Sequence, residues 1–256
     1  MLQKEKQQFI TFLRLGWRLA LTDFKLRNEG SYLGNLWYLL NPLLMFVVLY
    51  FIFADRLGAE ILNYPAYLLI GILLFNFFTR TTIDATQIIR SSGFIKSFKL
   101  NLHALVLSVV IKHLLAHLFE AVLFFVVLII LGLPLYSILY YFAVLFLLSI
   151  FVYGCSLLLS VLTMYFVDLG NIWQFFTTLV WFGTPIFYSL GGQDRLVFVN
   201  QFNPMYYFIT VAREFTIYGT VPDVSFIIGI FVSSIITLMV GMYVFYSLKN
   251  KLAEMV

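Results

Sequence analysis

Six long apolar runs alternate with short polar stretches along this 256-residue chain. A helix needs about 20 apolar residues to cross the ~30 Å hydrocarbon core of a bilayer. The run at 65–79 is short for a span, so its helix must extend into its flanks or cross a thinned bilayer. The pattern predicts an all-α integral membrane protein with six transmembrane helices, placed at roughly 36–54, 65–79, 104–131, 138–162, 172–190 and 224–247.

The composition supports a membrane protein and excludes several other classes. Hydrophobic residues make up 62% of the chain, charged residues only 11%, and the mean hydropathy is +0.97. Soluble domains are about 45–50% apolar and about 25% charged. A soluble domain, a disordered tail and a nucleic-acid binder are therefore excluded. A disulfide scaffold is excluded as well, because Cys155 is the only cysteine.

The basic residues are distributed unevenly between the two sides of the predicted membrane. Most of the 16 lie before the first run, between the second and third runs, or at the C-terminus. Arg56, Arg195 and Arg213 fall on the opposite side. Because cytoplasmic loops are enriched in Lys and Arg, we expect both termini and the connection at 80–103 to be cytoplasmic, which an even number of spans allows.

Residues 1–34 are an amphipathic segment that precedes the transmembrane domain at 35–256. With successive side chains about 100° apart around a helix, an apolar stripe adjoins a basic one. The stripes consist of Ile10, Leu13, Trp17, Ala20 and Phe24, and of Arg14, Arg18 and Lys25. Such a pattern is typical of a helix lying in the membrane interface. This helix either anchors the topology on anionic lipid or receives an anionic lipid head group.

The cytoplasmic connection at 80–103 is longer than a tight turn requires. Its helical pattern is broken at Ser91-Ser92-Gly93, and its charges are mainly basic. A short basic helix between two spans is suited to docking a soluble partner. The alternative is a solvated loop that only enforces orientation.

The external segment at 191–223 is too aromatic for a mobile loop and too interrupted for a span. Gly191-Gly192, Asn203-Pro204 and Val221-Pro222 divide it. Non-helical backbone at membrane depth is tolerated only where protein or a cavity shields it. We therefore expect re-entrant helical fragments that dip into the outer leaflet between spans five and six, where they could form a gate.

The third run contains an unusual group of polar residues. His113, His117 and Glu120 share one helical face, and Lys112 is adjacent. A zinc site needs about four ligands, and one helix supplies only three, so no metal site is predicted. We expect Lys112 and His113 at the cytoplasmic interface and Glu120 at an interhelical contact or a wet cavity.

Aromatic residues reach 19% of the chain and are concentrated in the fifth run. Aromatic rings suit stacking against amphipathic cargo such as sugars, although lipid-facing positions and interfacial belts are the ordinary explanation. No Gly-Lys dipeptide is present, so a Walker A loop is absent, and no hydrolase motif is found. We therefore predict no catalytic residues, and energy must come from a gradient or another polypeptide.

A series of motifs covers essentially the whole chain. In sequence order they are Asp23 to Met45 with Asn41-Pro42, Tyr64-Pro65, Gly71 with Asn76, Asp168-x-Gly170-Asn171, Thr184 to Tyr188, Asn203-Pro204-Met205 and Arg213-Glu214. Together these motifs resemble the permease subunits of type-2 ABC exporters that move bacterial polysaccharides, most closely the O-antigen permeases. The acid at Glu120 matches one common in their third span, whereas Asn28-Glu29 departs from their aromatic and basic pair.

The resemblance implies a multi-pass protein of the bacterial cytoplasmic membrane. It further implies a second copy of the chain, two ATPase subunits that hold ATP and magnesium, and a cargo of polysaccharide linked to undecaprenyl pyrophosphate. The connection at 80–103, chiefly 84–97, would couple ATPase motion to transport through Asp84, Arg90 and Lys96. The 191–223 segment would form external gate helices.

The resemblance also implies roles for two sets of side chains. Aromatics of the first and fifth spans would line a sugar channel, and basic residues near the cytoplasmic surface would meet the pyrophosphate. The channel candidates are Trp37, Tyr38, Trp173, Phe176, Trp181, Phe182, Phe187 and Tyr188. The head-group candidates are Arg14, Arg18, Lys25, Arg27 and Arg90.

Two alternatives remain open from the sequence. A type-2 ABC exporter of drugs or lipids would share the topology without needing a sugar path. A membrane-embedded enzyme acting on polyprenyl lipids would use His113, His117 and Glu120 as its site. Gradient-driven carriage is disfavoured, since the two halves show no repeat and the spans contain no chain of acids.

Overall fold

The computed structural model describes residues 2–26, 32–91 and 102–255, although not the side chains of residues 2–6, 8–9, 35, 90–91 and 249–255. The described residues form helices joined by turns and contain no β-strand, which confirms the all-α prediction for this part of the chain. The helices are α1 (Leu2–Leu26), α2 (Trp37–Phe53, preceded by a 3-10 turn at Gly34–Leu36), α3 (Tyr64–Ser91), α4 (Leu102–Ile130), α5 (Ser137–Tyr165), α6 (Leu169–Gly183), α7 (Asp194–Asn200), α8 (Pro204–Arg213, continued by a π-helical turn at Glu214–Tyr218) and α9 (Val224–Met255).

Among the residues that the structure describes, four helices are long and apolar enough to cross a membrane: α3, α4, α5 and α9. Helix α2 is apolar but has 17 residues, or about 25 Å of helix. Helix α6 has 15 residues and is shorter than its predicted run at 172–190. It ends at Gly183 because Pro185 disfavours a helical conformation in the residue before it.

Helix α3 continues well beyond its apolar run. Residues 80–91, the helical first part of the predicted connection at 80–103, continue α3 up to Ser91, where the sequence pattern breaks. Thr81 and Thr82 lie in this polar half, and their hydroxyls donate to the carbonyls of Phe77 and Phe78 four residues earlier. Such back-bonding satisfies polar side chains within a helix, so a threonine-rich stretch need not end it.

Helix α3 is the central element of the core. Its apolar residues from Ala66 to Phe75 are almost completely buried, and it contacts α2, α4, α5, α6 and α8. Helices α5 and α9 form a second tight pair around Gly154 and Gly241. A Cβ on Gly154 would lie 2.5 Å from the Thr237 backbone, so the two backbones are in direct contact, as in small-residue packing between membrane helices.

Helix α1 packs along α4, and only part of its predicted apolar stripe makes this contact. Ala20 and Phe24 are buried, and Gly16 lies against Leu107 of α4. Trp17 is 48% exposed, and Leu13 and Ile10 are also exposed. The helix therefore has a protein-facing stripe beside an exposed apolar one.

Candidate functional site

The first of two polar regions in the described chain is the non-helical segment that follows α6, together with the side chains around it. Residues 184–188, which we call the strap, follow the end of α6 at Gly183. Thr184, Pro185, Ile186 and Tyr188 are buried. Backbone carbonyls that leave a helix at membrane depth require other donors, because no water replaces the lost hydrogen bonds.

Side chains from three other helices supply these donors. The Tyr64 hydroxyl donates to the Phe187 carbonyl at 2.9 Å, and the Tyr67 hydroxyl donates to Pro185 at 3.2 Å and Tyr188 at 2.8 Å. The Asn200 amide donates to the Gly183 carbonyl at 2.8 Å. These bonds join the strap to α3 and the end of α6 to α7.

Arg213 provides further strap contacts. Its Nη1 donates to the Pro185 carbonyl at 2.7 Å, and its Nη2 donates to Ile186 at 2.9 Å and to Tyr67 at 3.0 Å. Its Cζ also lies 3.3 Å from the centroid of the Tyr67 ring, a cation–π contact. Gly71 makes room for this side chain, because a Cβ there would lie 2.8 Å from Nη2.

From its position in the sequence, Arg213 was assigned to the external side of the membrane, and this bonding role was not predicted. In the structure its side chain is 3% exposed. An available signal was its position after Val211 and Ala212, since an intramembrane or buried charge needs a specific partner. The predicted helical fragments are present as α7, α8 and the π-helical turn, whereas their function as a gate stays a prediction.

A pocket of about 160 Å³ opens beside Arg213, lined by Tyr67, Tyr206, Tyr218 and Glu214 among others. Burial raises the pKa of Glu214, and the nearby Asp223 carboxylate raises it further. The pocket therefore contains a carboxyl group that holds its proton more tightly than a carboxyl in water.

The predicted channel aromatics divide into exposed and packed residues. Phe176 and Phe182 are 47% and 62% exposed, and Trp37 is also exposed. Tyr38 is buried and stacks on Phe24 with 4.9 Å between ring centroids, and Tyr188 is buried with its hydroxyl donating to the Phe182 carbonyl. These two cannot present a free ring face to cargo in this conformation.

The other three aromatics are partly buried in contacts within the chain. The Trp173 indole donates to Thr82 Oγ1 at 2.9 Å. Trp181 meets Phe75 edge to face, and Phe187 stacks on Phe53. Trp173 and Phe176 also line a pocket of about 610 Å³ between α6, α5 and the start of α8.

The second polar region is a series of charge contacts between α3 and α4. Arg80 Nη1 lies 2.6 Å from Glu120 Oε1. One helical turn later, Asp84 Oδ2 lies 2.8 Å from both Lys112 Nζ and His113 Nε2. Glu120 thus lies at a contact between α3 and α4, one of the two environments that were expected for it. Asp84 contributes to this helix pair.

His117 lies in the same region but has different partners. Its Nε2 is 2.6 Å from the Tyr141 hydroxyl on α5, and its Nδ1 is 3.5 Å from Glu120 Oε2. His113 turns to Asp84, so the two histidines and Glu120 do not converge on one point. In the described residues, no three His, Cys, Asp or Glu side chains could hold a metal ion together.

The predicted head-group and coupling residues are only partly within the described chain. Arg14, Arg18 and Lys25 are exposed on α1. Arg27, Lys96 and the side chain of Arg90 lie outside the described residues. Their predicted roles stay predictions.

Comparison with known proteins identifies relatives over almost the whole chain. Residues 15–217 match the family model described as ABC-2 type transporter. An O-antigen export system permease protein, RfbA, of Klebsiella pneumoniae is 27% identical over 91% of both chains. Its counterpart in Myxococcus xanthus is 25% identical over 92% of this chain and 93% of its own.

The family model spans well over half of the chain and includes both polar regions. The membrane-capable helices agree with the sequence resemblance to type-2 ABC permeases. Such a subunit is a multi-pass integral membrane protein that acts in transport. The chain therefore belongs to the ABC-2 type transporter family.

Proposed function

We propose that this chain is the transmembrane subunit of an ABC exporter that moves an O-antigen-like polysaccharide, linked to undecaprenyl pyrophosphate, across the bacterial cytoplasmic membrane. The observation that supports the cargo most directly is the similarity, over about nine tenths of both chains, to proteins named as O-antigen export permeases. ATP and magnesium would bind to a separate ATPase subunit, since the sequence has no Walker A loop.

The proposed assembly contains two copies of this chain and two ATPase subunits. Each copy would have six spans, with α2 and α6 as the two short ones beside α3, α4, α5 and α9, and both termini would be cytoplasmic. Short spans can be accommodated by tilting of neighbours or by local thinning of the bilayer. The distribution of Lys and Arg in the sequence supports this orientation.

Coupling to the ATPase would occur at the cytoplasmic end of the α3–α4 pair. Helix α3 ends at Ser91 and α4 begins at Leu102, so the segment between them would meet the ATPase subunit. The ion pairs from Arg80 and Asp84 to α4 would make the two helices respond together. Motion of the ATPase dimer would then change the arrangement of the spans.

Cargo would contact two surfaces that the described chain exposes. Phe176 and Phe182 on α6 and Trp37 on α2 offer rings that could stack on sugars. Arg14, Arg18 and Lys25 of α1 offer cations at the predicted cytoplasmic interface, where an anionic head group would arrive.

Co-expression with an ATPase subunit encoded beside it would test this function. We expect a stable complex that hydrolyses ATP, whereas the purified chain alone does not. In a bacterial strain lacking its own O-antigen permease, the complex should restore surface polysaccharide. A complex that moves drugs or phospholipids but no glycan would support the alternative cargo, and failure to bind an ATPase subunit would contradict the transport function.

A membrane enzyme acting on polyprenyl lipids is less well supported by the geometry. His113 and His117 contact Asp84 and Tyr141 on different neighbouring helices. Residues of a catalytic site must converge on one reacting group. These side chains instead join α4 to α3 and α5.

A further inference from the structure

We propose that Arg213 is a positioning residue for transport: it fastens the strap at 184–188 and helix α8 to the first turns of α3, so that these parts move as one body when the ATPase subunit acts on α3. This inference rests on the proposed function, because it assumes that force enters at the cytoplasmic end of α3.

Arg213 is a buried charge whose hydrogen bonds are directional. An ionised side chain taken out of water loses several kcal/mol of hydration unless new contacts replace it. Arg213 recovers this through hydrogen bonds to carbonyls of Tyr67, Pro185 and Ile186. Because a guanidinium is planar and donates in fixed directions, these bonds hold only while α3, the strap and α8 keep one relative geometry.

Other side chains also donate hydrogen bonds to the strap. Tyr64 and Tyr67 both extend from the external end of α3 and bind strap carbonyls. Asn203, at the start of α8, donates to the Thr184 hydroxyl at 2.8 Å. If Arg213 were removed, the tyrosines would still reach the strap, but α8 would lose its direct bonds to α3 through this side chain.

Helix α3 connects the two polar regions. It runs unbroken from Tyr64 to Ser91, a length of about 42 Å at 1.5 Å per residue. The half of α3 that ends at Ser91 is joined to α4 by the ion pairs of Arg80 and Asp84. A displacement applied near Ser91 therefore reaches Tyr67 and, through Arg213, the strap and α8.

Two glycines with positive φ adjoin the tied parts. Gly192, which lies between the strap and α7, and Gly219 have φ values of 73° and 64°, in the left-handed region that other residues adopt with strain. Gly219 ends the π-helical turn that follows Arg213, and π-helical turns frequently occur at functional sites. Bending at Gly219 would let the strap and α8 move together relative to α9.

The experiment uses the full chain in complex with its ATPase subunit in lipid nanodiscs. Hydrogen exchange of the amides at 184–190 reports how often the strap opens, and it is measured without nucleotide and with ATP plus vanadate. Three variants are compared with the parent: Arg213→Gln, Arg213→Lys and Gly71→Ala. Gly71→Ala leaves Arg213 chemically intact but displaces its guanidinium, and so tests the contact even if the arginine variants fold poorly.

Arg195→Gln is the matched control, because Arg195 is an exposed arginine on α7 and the chemical change is the same. In the parent and the control, we expect nucleotide to change strap exchange roughly threefold or more. In the test variants, strap exchange should rise roughly tenfold, because one or two hydrogen bonds are lost. It should also no longer respond to nucleotide. Arg213→Lys should resemble Arg213→Gln, since an ammonium keeps the charge but lacks the planar fork.

Export of polysaccharide should be lost in these variants while ATP hydrolysis stays within about twofold of the parent, since Arg213 is far from the ATPase contact. Strap exchange that does not respond to nucleotide in the parent would overturn the inference. So would variants that keep both the response and export. A parent that forms no ATPase complex would instead contradict the proposed function, and comparing Arg213→Gln with Arg195→Gln would still decide whether Arg213 holds the strap.

Discussion

Nη1 of Arg80 on α3 lies 2.6 Å from Oε1 of Glu120 on α4, with Arg80 30% exposed and Glu120 3% exposed at their side chains. The pair joins two helices whose ends flank the proposed coupling segment. Its energetic importance lies mainly in Glu120, because a carboxylate this deeply buried depends on its partner for compensation. Arg80 depends less on the pair, because about a third of its side chain is exposed in the isolated chain.

We predict that Arg80→Ala destabilises the complex more than Glu120→Gln does. Arg80→Ala leaves Glu120 buried without its cation, at a cost of about 2–4 kcal/mol in the free energy of unfolding. Glu120→Gln leaves a partly exposed arginine, and we expect about 1–2 kcal/mol. Thermal unfolding of the detergent-solubilised complex would measure both. The double variant Arg80→Ala/Glu120→Gln should be less destabilised than the two single effects summed, and simple additivity would contradict a direct pairing.

The close contact of α5 with α9 gives a second prediction. Gly154→Val places side-chain atoms where the Thr237 backbone now lies, so the helices must separate. We expect a loss of about 2–4 kcal/mol or failure to fold. Gly183→Val is the control, since a Cβ at Gly183 would meet nothing within 4 Å. Equal stability of the two variants would contradict the observed helix contact.

Local patterns were sufficient to predict most helices of this protein. The apolar runs predicted both ends of α2, α4 and α5 to within three residues, and the start of α9 but not its end at Met255, because a long apolar segment spans lipid only as a helix. They left open whether α3 extends into its polar flank. Its Thr81 and Thr82 hydroxyls bond within the helix, and sequence polarity alone does not show whether a threonine faces water or its own backbone.

The candidate site was predictable only in part, since its contacts join residues far apart in the sequence. Arg213 bonds to the Tyr67 carbonyl across 146 positions. The end of α6 before Pro185 is a local effect of proline. The donors that bind the strap carbonyls depend instead on the packing of α3 and α8. Glu120 was expected at an interhelical contact or a wet cavity, because an intramembrane acid needs compensation, and the sequence could not name Arg80 as its partner.

A third prediction concerns the exposed aromatics of α6. Phe176→Ala and Phe182→Ala should reduce polysaccharide export roughly threefold or more, because each removes a ring that could stack on a sugar. Binding to the ATPase subunit should be unchanged, since both rings are exposed in the isolated chain. Surface polysaccharide and complex formation are measured together.

Phe146→Ala is the control for these variants. Phe146 is 66% exposed on α5 and is not among the predicted channel residues. Export should remain normal in this variant. Normal export by the α6 variants as well would contradict a sugar path along α6 and would place their rings against lipid or a partner.

The last prediction follows from the raised pKa of Glu214. Burial raises this pKa, and Asp223 raises it further, so the folded protein binds the Glu214 proton more tightly than the unfolded chain does. Stability from this group is therefore present at low pH and is lost as pH rises through the folded-state pKa. At neutral pH the ionised carboxylate destabilises the fold, and Glu214→Gln should raise the melting temperature there.

Near pH 4, where an ordinary glutamate is about half protonated or more, the variant and the parent should converge. Glu60→Gln, at an exposed position, is the control and should change neither value. A lower melting temperature for Glu214→Gln at neutral pH would mean that the carboxylate makes a stabilising contact that outweighs its burial.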